Sequence, residues 1–131
     1  MKILHETAVP ERAVPGRFLS WVAADGVGLN PEFLSCCVMR VLPGETVSPA
    51  HSHPDGEELL YIVHGSGKVY INGEIGAIRA GDLVLFEKGS IHMVRNSGSE
   101  ELKVVCFFAP RTSLEEYVFH TEVEFDTGTE V

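Results

Sequence analysis

Glycine and proline punctuate this chain so densely that a long helix has no room to form. Thirteen glycines and seven prolines among 131 residues leave short runs rich in Val, Ile, Leu, Phe and Tyr, each bounded by turn residues, which is the pattern of strands. The predicted strands are Phe33 to Leu42, Thr46 to Ser48, Leu59 to Val63, Lys68 to Ile71, Ile75 to Ile78, Leu83 to Phe86, His92 to Arg95 and Leu102 to Phe108. Their spacing predicts an all-β sandwich or barrel. Asn72-Gly73 is the sharpest hairpin signal, because both residues accept the positive φ of a type I′ turn. Gly65-Ser66-Gly67 is expected to turn the chain just before it.

The length suits one folded domain, expected over 1–131 as an N-terminal arm (1–32), a barrel (33–110) and an acidic C-terminal segment (111–131). The arm carries Pro10, Pro15-Gly16 and Pro31 and one aromatic cluster, Phe18 and Trp21. It is expected either to add an outer strand or to cover a partner subunit. From Thr112 onward there is no Lys or Arg, while Glu115, Glu116, Glu122, Glu124, Asp126 and Glu130 accumulate, so a tail solvated at least in part is expected there. Ten Lys and Arg against 19 Asp and Glu give a formal charge of −9. That balance argues against nucleic acid and anionic membrane as partners, since both need a basic footprint. No apolar run approaches membrane-spanning length and the first residues lack the apolar core of a leader, so a cytoplasmic protein is expected. Cys36, Cys37 and Cys106 are odd in number and show no CxxC spacing; they read as small core residues rather than a disulfide scaffold or zinc ribbon.

The chemistry concentrates in two stretches. In the first, Gly44 to Gly65, His51 and His53 stand two apart, so on an extended chain both imidazoles face one side. A Pro-Asp-Gly turn then leads to Glu57-Glu58. Only one of these adjacent carboxylates can face the histidines, and counting back from Gly65 selects Glu58. In the second, Gly81 to Asn96, a glycine-bounded strand and turn lead into His92. Three imidazoles and a carboxylate suit a divalent transition metal.

Together the two stretches resemble the paired motifs of the cupin superfamily: a glycine followed by HxH, Glu and Gly, then a second glycine, Pro-x-Gly, His and Asn. The resemblance implies a double-stranded β-helix, or jelly-roll, cupin barrel with one divalent metal per chain held by His51, His53, Glu58 and His92. Two departures stand out. One extra residue separates Gly44 from His51, and Glu87 replaces the usual proline of the second motif; neither removes a ligand. Because small cupins usually pair by packing their sheets, a homodimer is expected, with Phe18 to Val22 apolar enough to cross onto a neighbour.

Such a shell leaves a divalent ion with a residual charge of about +1 and open coordination positions. With Fe, substrate and dioxygen can bind side by side, as in a non-haem dioxygenase; with Mn, Ni or Zn the site acts as a Lewis acid for isomerisation, decarboxylation or hydrolysis. Strand parity places Leu60 and Ile62 with Glu58, and Val94 and Asn96 with His92, as candidate pocket residues. Arg40, Arg79 and Arg95 are candidate carboxylate anchors, with Arg40 favoured because it interrupts an apolar run. Tyr61 has the parity opposite to Glu58 and reads as a packing residue. His5, His64 and His120 lack ligand spacing. Two functions fit: a small metal-dependent enzyme acting on an organic acid or related oxygenated metabolite, and a non-catalytic module that binds or senses a small molecule. The enzyme is favoured, although no motif marks a proton-handling residue.

Overall fold

The computed structural model describes residues 1–125, so Asp126 and Glu130 of the acidic segment lie outside the described residues. Among the described residues twelve strands form: β1 (Arg12–Val14), β2 (Arg17–Ala24), β3 (Val27–Gly28), β4 (Ser35–Val41), β5 (Ala50–Ser52), β6 (Glu57–His64), β7 (Ser66–Ile71), β8 (Glu74–Arg79), β9 (Leu83–Phe86), β10 (His92–Arg95), β11 (Leu102–Ala109) and β12 (Val118–His120). They assemble into a seven-stranded sheet, β1-β2-β4-β11-β6-β9 with β3 paired to β2, and a five-stranded sheet, β12-β5-β10-β7-β8. Every pairing among the described residues is antiparallel, and from β4 onward the chain crosses between the sheets at every step except the β7–β8 hairpin, so the architecture is the all-β double-stranded β-helix. Among the described residues no helix is long and apolar enough to cross a membrane.

Alternation builds the core. Along β6 the side chains switch from exposed to buried at each step, with Glu58, Leu60 and Ile62 inward and Glu57, Leu59, Tyr61 and Val63 outward. The inward row meets Val104, Cys106 and Phe108 of β11 and Val84 and Phe86 of β9. Leu60 and Ile62 have no exposed surface, and each contributes about 1.5–3 kcal/mol by leaving water. Asn72 and Gly73 take φ of 47° and 91° and close the β7–β8 hairpin, with Ile71 opposite Glu74. Gly65 is required twice over. Its φ is +88°, and a Cβ there would stand 2.5 Å from the Glu101 carbonyl oxygen.

The structure departs from the sequence reading at its edges. Thr46 to Ser48 forms no strand, only a single bridge from Thr46 to Arg95. Both terminal segments join the sheets. β2 pairs with β4 through Phe18↔Arg40 and Leu19↔Met39, so Phe18 to Val22 covers this chain's own barrel. β12 pairs with β5 through Phe119↔His51, and Tyr117 and Phe125 are buried, so the described part of the C-terminal segment is not simply a solvated tail. Acidic residues hid these short apolar stretches.

Candidate metal centre

Backbone register brings the histidines together. β5 and β10 are neighbours in the five-stranded sheet, and His92 lies directly opposite His51. His53 follows β5 by one residue and points to the same side, while Ser52 between them turns away to the His120 ring, 2.9 Å from Oγ to Nε2. Glu58 arrives from β6 of the other sheet. The four side chains are buried, and one ligand atom from each lies within 4.8 Å of all the others. Ring centroids are 4.4 Å apart for His51 and His92, 5.1 Å for His53 and His92, and 5.4 Å for His51 and His53.

Hydrogen bonds fix the tautomers that matter. His51 Nδ1 lies 3.3 Å from the Pro49 carbonyl oxygen and His92 Nδ1 lies 3.1 Å from that of Ser90. A carbonyl can only accept, so both Nδ1 atoms carry the proton and both Nε2 atoms keep a free lone pair. His92 Nε2 is buried without a hydrogen-bond partner, although it approaches Glu58 Oε1 to 3.3 Å. His53 Nε2 stands 3.0 Å from the same oxygen. An imidazole that donates one nitrogen to a backbone carbonyl and aims the other at a buried cluster is the arrangement of a metal-binding histidine. Phe86 stacks on His92 at 3.8 Å between centroids, which holds the ring in plane. The donor set therefore fits a divalent transition metal on its own chemistry.

Electrostatics point the same way. Burial pulls the His51 pKa well below the usual value, aided by His92, so the ring is neutral and able to ligate. Burial pushes Glu58 up, but the His53 and His92 imidazoles packed against its oxygen prevail and hold its carboxyl well below the ordinary carboxylate range. Contact with Cys37 and burial hold the Cys106 thiol well above its ordinary value. All three cysteines are free and buried.

A narrow cavity of about 20 Å³ opens beside the cluster. Leu60 and Val94 line it, whereas Ile62 packs deeper in the core and does not. The placement of Arg40 is corrected. Its side chain lies on the outer side of β4, with Nε 2.5 Å from Glu11 Oε2, Nη2 2.8 Å from Glu11 Oε1 and Nη1 on Glu101. It therefore faces a surface hollow with Glu11 and Ser20 rather than the cluster. Asn96 is also corrected: it is fully buried, but its amide donates to the Val41 and Glu100 carbonyls and accepts from Gly98, closing a turn. Arg79 is exposed and Arg95 lies over the Phe125 ring. Tyr61 faces outward. His64 pairs with Glu100 at 3.1 Å, and His5 caps a short 3-10 turn; neither joins the cluster.

Two cavity residues escaped the sequence reading. Arg17, the first residue of β2, and Tyr117, just before β12, both line the cavity. Arg17 shares the inward parity of Leu19, but a register shift between Ser20 and Ala23 breaks the alternation that would have revealed it. Tyr117 stacks on His51 at 4.9 Å and meets His53 edge-on at 4.3 Å. Burial raises its phenol well above the ordinary value, so it stays protonated. Its only sequence signal is the apolar triplet Tyr117-Val118-Phe119 within an acidic run.

Comparison with known proteins follows this geometry. A family model described as "Cupin domain" matches residues 37–108. Polyketide synthase CurC of Streptomyces cyaneus is 33% identical over 101 residues, covering 77% of this chain and 64% of CurC. The oxalate-binding protein of Thermotoga maritima is 34% identical over 68 residues, covering 52% of this chain and 55% of that protein. The matches thus span a little over half to just under two thirds of these relatives' own lengths. Among solved structures, one described as a predicted oxalate decarboxylase from Thermotoga maritima superposes with a TM-score of 0.73 at 19% identity, covering 82% of this chain and 98% of the other.

Proposed function

The chain belongs to the cupin family, and from that premise we propose that His51, His53, Glu58 and His92 hold one divalent transition metal, Fe, Mn, Ni or Zn, in a small enzyme acting on an organic acid or related oxygenated metabolite. The observation that carries the proposal is the convergence of His51 and His92 Nε2, each freed by a backbone hydrogen bond at Nδ1, on the ionised Glu58. When bound, the metal supplies Lewis acidity toward a substrate oxygen, and if it is iron it also allows oxygenase chemistry. The chain's own residues do the rest. Leu60, Val94 and Phe86 exclude water, Phe86 fixes the His92 ring, and the protonated Tyr117 phenol is the proton-handling group within the cavity. Elemental analysis after reconstitution tests the metal, with about one ion per chain expected; no uptake and no change in thermal stability would overturn it. Turnover is tested by screening oxygen uptake and product release across small organic acids.

A second reading, a binding protein without turnover, draws on the relative named an oxalate-binding protein. Stoichiometric ligand binding with no product over the whole screen would select it.

We also propose that the protein is a homodimer formed through the outer face of β6, β9 and β11. There Leu59 pairs with Leu85 and Phe107, and Tyr61 with Leu83, all exposed, Leu83 by 65%. A contiguous apolar face of this kind marks an interaction surface. Sedimentation at micromolar concentration is expected to give twice the 14.3 kDa chain mass, and Tyr61→Lys to shift it toward the monomer; a wild-type 14.3 kDa species would exclude the dimer.

A further inference from the structure

The metal proposal leaves the Arg17 guanidinium without a task. The residue is 6% exposed, and Nη1 donates to the Pro15 carbonyl at 2.9 Å. Among the described residues no ion pair forms on it. A buried cation without a partner is strongly unfavourable, and four of its five N–H donors have no hydrogen bond to the described residues. The Tyr117 phenol, on a residue only 9% exposed, likewise has no hydrogen-bond partner there. Both line the cavity that holds His51, Glu58 and His92. With a divalent cation in place, Glu58 is the only carboxylate among the described residues lining the cavity, and it would face two cationic centres.

Resting on the metal reading above, we propose that Arg17 and Tyr117 form the anion-binding subsite of this cavity, and that the substrate is a small carboxylic acid held between the metal and the Arg17 guanidinium. The planar guanidinium fork matches a carboxylate in two parallel hydrogen bonds. The phenol adds a single neutral donor from the opposite chain end. The enclosed space beside the cluster is only about 20 Å³, little more than a water needs, which restricts the subsite to the carboxylate end of the smallest acids and excludes a polycyclic ligand. Arg17 is a specificity-determining residue, because a neutral analogue of the same size leaves its charge buried and unanswered. Both donors lie outside the residues 37–108 that the family model matches. Substrate choice therefore resides in the flanking strands, separate from the metal shell.

The test uses zinc-loaded protein, which cannot turn over by redox chemistry, and calorimetric titration with oxalate and its neutral diamide, oxamide. Wild type is expected to bind oxalate at least about tenfold more tightly than oxamide, consistent with charge-assisted hydrogen bonds. Arg17→Gln is expected to weaken oxalate by about tenfold or more at unchanged zinc stoichiometry, Arg17→Lys to recover part of the loss, and Tyr117→Phe to weaken it by roughly threefold. Oxalate binding to fully zinc-loaded Arg17→Gln at wild-type affinity overturns this proposal alone. Failure of wild type to take up any metal overturns the metal reading first. Should Arg17→Gln not fold, Arg17→Lys decides: wild-type affinity and wild-type discrimination against oxamide would refute the bidentate role.

Discussion

Residues 37–108 and the strands that flank them build one cavity by different means. The central stretch contributes His51, His53, Glu58 and His92 from positions locked by ladders in both sheets, with His92 opposite His51 and Glu58 opposite both Phe86 and Phe108. The flanks contribute Arg17 from β2 and Tyr117 from beside β12, which is the edge of the five-stranded sheet. A ligand shell tied to interior register tolerates little change, because a one-residue slip turns every side chain to the other face. Donors delivered by peripheral strands can vary while the shell stays intact. On the function proposed above, the centre would bind the metal and the periphery would recognise what binds beside it.

The largest effect that probes this division is loss of a central ligand. Mutating groups that merely orient metal ligands costs 10–100-fold in affinity, so His92→Ala or His51→Ala is expected to cost at least about 100-fold, read by metal content after dialysis against a graded chelator. Tyr117→Phe, although its ring stacks on His51, is expected to keep full occupancy, as is His120→Ala, whose ring serves Ser52. Metal loss in Tyr117→Phe equal to that in His92→Ala would erase the distinction between centre and flank.

How far each half was legible follows from the same geometry. HxH, Glu58 and His92 are set by period-two alternation over short, regular strands, so parity sufficed to choose Glu58 over Glu57 and to place Leu60 and Val94 beside the cavity. The Asn72-Gly73 hairpin was legible for a different reason, since the positive φ that its turn requires is set by those two residues alone. Alternation failed where the chain is irregular. The register shift in β2 hid Arg17, the acidic surroundings hid Tyr117, and both sit far in sequence from the motif. Parity also says nothing of what a polar group bonds to, so Asn96, inward but consumed by its own turn, was misread as a pocket residue.

A smaller effect sharpens the register within the centre. Glu57 and Glu58 are adjacent, one exposed and one buried, so Glu58→Gln is expected to weaken metal binding by tenfold or more while Glu57→Gln leaves it unchanged. The metal-free protein gives a second readout. Glu58 is held below the usual carboxylate range, chiefly against burial and by His53 and His92, so its ionised form contributes stability above the unfolded value of about 4.3. That contribution is lost as pH falls from there toward the depressed folded value. Chemical denaturation between about pH 5 and 3 should show a flatter profile for Glu58→Gln than for wild type, whereas Glu57→Gln should follow wild type. Equal effects of the two substitutions would defeat the assigned strand register.

The smallest effect concerns the arginine that the sequence favoured. Arg40 interrupts an apolar run, as a substrate anchor would, but β4 turns it outward to Glu11 and Glu101, and it lies over the Phe18 ring at 4.9 Å. Its side chain is 30% exposed, and those of Glu11 and Glu101 are 40% and 38% exposed, so the ion pairs are screened and contribute little. Arg40→Ala is expected to lower stability by about 1 kcal/mol or less, with most of the electrostatic part gone in 1 M salt, where the screening length is about 3 Å. Oxalate affinity of the zinc-loaded variant should stay within about twofold of wild type, since nothing removed touches the cavity. Denaturation at two ionic strengths and the same calorimetric titration check both parts. A tenfold loss of oxalate affinity in Arg40→Ala, with Arg17→Gln unaffected, would return the anion site to the central half and reverse the division of labour between the two regions.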